Sequence, residues 1–127
     1  MIFERPALFF LLFAGLAQAA DAPPPAGRYR CYQPPDYVVL SWFDLAADGT
    51  YRLQGGPVAR YSWEPGRKIV RWLDGAHAKQ GLVGIYEPPP DDDQWPRRHT
   101  IVLARRADTR PGSAGWAKLP QCYLTEH

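Results

Sequence analysis

Residues that end regular structure recur along the whole chain: 14 prolines and 11 glycines in 127 positions. Beyond residue 26, apolar residues come in short runs broken by Gly, Pro and Asp. No window keeps a 3.6-residue apolar repeat over eleven positions, which argues against an amphipathic helix of ordinary length. Short alternating runs bounded by turn residues point to strands joined by tight turns.

The runs can be followed in order. Arg28–Gln33 alternates, with Tyr29 and Cys31 on one face, and stops at Pro34-Pro35. Tyr37–Leu45 is the longest run and reads as a strand with both faces partly covered. Ala47-Asp48-Gly49 marks a tight turn. In Thr50–Gln54, Tyr51 and Leu53 face inward, and Gly55-Gly56-Pro57 then turns the chain. Arg60–Glu64 turns Tyr61 and Trp63 inward, and Pro65-Gly66 suits the central pair of a type II turn. Lys68–Leu73, Gly81–Glu87, His99–Ala104 and Trp116–Leu124 complete the set, with room for one helical turn at Ala76–Gln80. The expected fold is all-β: an antiparallel meander of about eight short strands, either a small closed barrel or a strongly curled sheet.

Residues 1–19 have a different character. An uncharged run, Ala7–Ala17, is followed by Ala17-Gln18-Ala19, a small-x-small pattern of the kind cut by signal peptidase. The run is short of the ~20 residues a spanning helix needs. Residues 1–19 are therefore expected to be a signal peptide, and the product to be exported to the periplasm or beyond, with no membrane span after cleavage. Residues 20–26 read as a proline-rich tether, and residues 27–127 as one β domain.

Cys31 and Cys122 are the only cysteines. In an oxidising compartment such a pair is expected to be bonded. That bond requires the first and last strands to be neighbours, which is what barrel closure demands.

The net charge of +2, from 15 Lys+Arg and 13 Asp+Glu, is too small and too scattered to suggest nucleic acid. The three histidines, His77, His99 and His127, have no zinc-ligand spacing, and no Ser lies in a G-x-S-x-G turn. Asp91, Asp92 and Asp93 are adjacent, so they cannot all face one ion. Glu64 and Glu87, each ahead of a Pro, are the carboxylates a small hydrolase would use. No metal, cofactor or catalytic grouping is expected. Aromatics carry the remaining signal: Trp42, Tyr51, Tyr61, Trp63, Trp72 and Tyr86 fall on consecutive strands and form either the core or the lining of a ligand pocket. Trp95 and Trp116 lie in or beside loops and are candidate interface residues.

Gly27-x-Tyr29 opening the first strand and Leu45-x-x-Asp48-Gly49-Thr50-Tyr51 at a hairpin resemble the small lipocalin-like β-barrels of exported bacterial proteins. Tyr29-x-Cys31 and Cys122 are also similar to the terminal clamp of periplasmic inhibitors of c-type lysozyme. The Ser-Gly-x-x-Tyr inhibitory loop of that family is absent here, with Gly56–Tyr61 in its place. These resemblances imply a small barrel that binds ligands or acts at the envelope without catalysis. The expected function is a non-enzymatic binding module for a sugar or small apolar molecule. The alternative is an envelope interaction or inhibitor protein working through rim loops 88–98 and 105–115.

Overall fold

The computed structural model describes residues 22–89 and 98–126. The leader, the Asp91–Asp93 run, Trp95, His127 and most of loop 88–98 lie outside the described residues.

Eight antiparallel strands run in sequence order around a closed barrel: β1 (Gly27–Gln33), β2 (Val38–Leu45), β3 (Thr50–Leu53), β4 (Ala59–Glu64), β5 (Ile69–Trp72), β6 (Val83–Glu87), β7 (Thr100–Ala104) and β8 (Gln121–Glu126). A short helix, α1 (Gly75–Lys79), sits between β5 and β6. The barrel closes where β8 pairs with β1, and there Cys31 lies directly opposite Cys122. The two form a disulfide, and both are wholly buried.

Alternation along each strand decides what fills the barrel. Tyr29, Phe43, Leu45, Tyr51, Val70, Trp72, Tyr86, Ile101 and Leu103 point inward as one cluster. Tyr29 stacks on Phe43 at 5.5 Å, and Trp72 meets Tyr51 at 4.7 Å. Gly84 makes this packing possible. A Cβ there would stand 2.9 Å from Ile101 Cγ2 and 3.2 Å from Trp72 Cζ2.

Ile69, Ile85, Val102 and Ala104 face outward, yet they are as buried as the interior. The β7–β8 connection folds over them and packs Ala107, Trp116 and Leu119 against this face. Burying a side chain of the Val or Ile class contributes about 1.5–3 kcal/mol, so this outer layer is a second, smaller core.

Three local details differ from the sequence reading. The last strand begins at Gln121, and Trp116–Lys118 is a single 3-10 turn entered through Gly115 at φ 83°. Pro120 has no N–H to give to a ladder, so pairing starts after it. In the β4–β5 hairpin the Lys68 N–H bonds to the Pro65 carbonyl and Lys68 has the positive φ of 56°. The turn thus has Gly66-Arg67 at its centre, one residue later than expected, because the ladder pairs Glu64 with Ile69 across a four-residue loop. The end of the tether also packs: Pro24 is buried, and the Pro25 carbonyl accepts a 2.7 Å hydrogen bond from Tyr29.

Candidate functional site at the barrel mouth

The two barrel ends are finished differently. At the end away from α1, inward tyrosines find partners for their hydroxyls. Tyr29 donates to Pro25, Tyr61 donates to the Ala46 carbonyl at 2.6 Å, and Tyr86 lies 2.6 Å from His99 Nδ1. A buried polar group without such a partner carries a desolvation cost of about 1–3 kcal/mol, so these pairings are what the interior requires.

At the other end, α1 lies across the opening. Gly75 starts it at φ 80°, where a Cβ would press on Ala59 and on the Tyr51 hydroxyl. Asp74, ahead of the helix, does not cap it. Its carboxylate instead takes the Arg60 N–H at 2.6 Å and Arg60 Nε at 2.9 Å, and these hydrogen bonds hold its pKa down. Tyr51 does the fastening. Its hydroxyl donates to the Asp74 carbonyl at 2.7 Å and accepts the His77 N–H at 3.2 Å.

This anchoring drives His77 into the barrel end, where it is 3% exposed. Its ring lies parallel to Tyr51 at 5.3 Å, edge-on to Phe43 at 5.2 Å and 4.6 Å from Trp72. Burial pushes its pKa down to about 4, so the imidazole is neutral near pH 7, with one nitrogen donating and one accepting. Neither ring nitrogen has a hydrogen-bond partner, and neither does the neighbouring Trp72 Nε1. These three are the only buried side-chain nitrogens or oxygens left unpartnered among the described residues.

His77 also lines a cavity of about 370 Å3 at this mouth. Leu40 and Ser41 of β2, Leu82 before β6, Leu103 of β7 and Leu119 form its walls. Gln33, Gln80, Arg105 and Pro120 complete the lining, with Arg105 Nη1 held 3.1 Å from the Gln80 carbonyl. The arrangement is a leucine-walled cup with the neutral His77, the polar Gln33, Ser41 and Gln80, and the Arg105 cation in its lining.

The aromatics singled out from sequence do not share one surface. Tyr51, Trp72 and Tyr86 are buried in the interior, while Tyr61 and Trp63 are half-buried against it. Trp42 points outward, with the Arg28 guanidinium 3.9 Å over its ring. Trp116 packs on the outer layer. His77 stands at the opposite barrel end from Glu64, Glu87 and His99. Glu64 is engaged by Arg71 at 2.9 Å. No group of three potential metal ligands occurs among the described residues. From the sequence, His77 stands out only as a histidine without zinc-ligand spacing. The available signal was a lone histidine between alanines in the one inter-strand segment with helical character.

Compared with known proteins, the chain matches no family model, no curated protein and no solved structure.

Proposed function

We propose that this chain is an exported, disulfide-closed binding module that takes a small amphipathic molecule at the α1 mouth of its barrel. The observation that carries the reading is the neutral, unpartnered His77 in the lining of a cup walled by Leu40, Leu82, Leu103 and Leu119. Barrel mouths are favoured ligand sites, and a cavity needs only a few polar groups to orient its occupant. About 370 Å3 lies toward the small end of the usual range and suits a compact ligand with one hydroxyl or carbonyl. The interior is occupied by side chains, so the occupant rests at the opening rather than deep within the barrel, as a lipocalin-like calyx would hold it. The leader pattern supports export, and the disulfide suits an oxidising compartment. No helix among the described residues is long and apolar enough to cross a membrane.

The test is calorimetric titration with 1-naphthol and with 1-octanol, each an apolar body bearing one hydroxyl. Saturable one-to-one uptake is expected. It should vanish in Leu82→Trp, which fills the cup from its wall, and weaken about tenfold in His77→Phe, the equivalent of one neutral hydrogen bond. Failure of both alcohols to bind, or binding indifferent to Leu82→Trp, would overturn the reading.

The second reading, an envelope interaction protein, is favoured by Tyr37, Val38, Val39 and Leu40, which form a continuous exposed apolar run. Pairing of β2 with β3 starts only at Phe43, so this stretch is an open sheet edge. A partner that adds a strand there should be retained from envelope extract by the parent chain and lost by Val39→Lys.

A further inference from the structure

The outer surface of the barrel holds a second concavity, away from the mouth. In the register of β6, β7 and β8, Glu87 lies beside Thr100 and Thr100 beside Tyr123. These three outward residues thus form one cross-strand row, with Glu87 and Tyr123 two strand spacings apart, or roughly 10 Å. The row borders a groove of about 440 Å3, also lined by Tyr37, Arg98 and Gln121. Tyr37 comes from the β1–β2 turn, is 54% exposed, and has φ 55°, an uncommon value for a bulky residue. Tyr32 flanks Tyr123 at 5.9 Å.

Glu87 is the informative member. It is half-buried, and its carboxylate makes no hydrogen bond or ion pair with another described residue. Burial raises its pKa. A carboxylate partly withdrawn from water and unpaired accepts hydrogen bonds from whatever donors enter the groove. Donors facing a carboxylate, with aromatic faces and an amide alongside, match the two surfaces of a pyranose ring: hydroxyls at its edge and C–H groups on its face.

A cation is the competing occupant, since tyrosines beside a carboxylate also suit an alkylammonium. The Arg98 guanidinium already lies over the Tyr123 ring at 5.5 Å, so the cation position on that face is filled and a second positive charge is repelled. We propose that this groove binds a neutral saccharide, with Glu87 accepting from its hydroxyls and the exposed Tyr37 ring stacking on its face, while the Arg98-covered Tyr123 forms the wall beside it. This site is independent of the mouth described above.

The experiment titrates the full mature chain with maltose, cellobiose and N,N′-diacetylchitobiose, and separately with tetramethylammonium, observing saturation-transfer signals and Tyr side-chain shifts. Saturable binding of at least one disaccharide is expected. Tyr37→Ala, at an exposed position that leaves the core intact, should weaken it at least tenfold, and Glu87→Gln about tenfold. Leu82→Trp should leave it unchanged. The proposal is overturned if no disaccharide binds, if tetramethylammonium binds and the sugars do not, if neither groove substitution weakens binding, or if Leu82→Trp abolishes it and so moves the sugar to the mouth.

Discussion

His77 should make the fold acid-sensitive by an amount that follows from its burial. In the unfolded chain a histidine takes up its proton near pH 6.5, whereas in the folded barrel the ring resists protonation until about 4. Between those values the unfolded state binds more protons, so stability is full above the unfolded value and is lost as pH falls toward the folded one. Taking the two pKa values, moving from about pH 7.5 to about pH 4.5 removes about 2.5 kcal/mol, a large part of the stability of a small domain. Other groups also titrate in acid. Burial raises the pKa of Glu87, which acts in the opposite direction, and hydrogen bonds lower those of Asp48, Asp74 and Asp108, which act only in stronger acid. His77→Phe retains all of these and keeps a planar ring against Tyr51, so the difference between parent and variant isolates the imidazole. The assay is urea unfolding at both pH values, followed by Trp fluorescence. Equal acid losses in parent and variant would refute the placement of His77 in the barrel end.

Two further predictions rest on the same scaffold. Replacing Cys31 and Cys122 together by Ser frees a loop with a sequence separation of 91 and should cost about 4–5 kcal/mol on the chain-entropy account, read as a lower denaturant midpoint. A loss below about 1 kcal/mol would mean the strand ladder alone closes the barrel. Tyr51→Phe removes the donor to Asp74 and the acceptor for the His77 N–H. It should cost about 1–3 kcal/mol and speed amide exchange across α1. Unchanged exchange there would show that the helix is held by something other than that hydroxyl.

Much of the barrel was legible because its causes are local. Asp48 forms a side-chain turn with the Thr50 N–H at 3.1 Å, and Gly49 takes φ 89°, as the Asp-Gly pair promised. The alternation that turned Tyr29, Cys31 and Tyr51 inward needed no knowledge of other strands. The outer layer was not legible. Ile69 and Ile85 lie on the face where alternation expects polar residues, and only the packing of the 105–120 connection over them explains their character. Neither candidate site was legible as a unit. His77 acquires its meaning from Tyr51, Phe43 and Trp72, and Glu87 from Thr100 and Tyr123, all brought alongside by strand register.

By itself the sequence determined the class of fold, the order of the strands and the sulfur pairing, since turn chemistry, two-residue periodicity and a lone pair of cysteines each act within a short stretch or leave one option. Only the tertiary structure decided which aromatics are filling and which are surface, which opening stays concave, and which polar groups go unpaired. Those outcomes depend on how strands far apart in the chain meet, and a displacement of one residue in any ladder would turn every one of that strand's side chains to the other face.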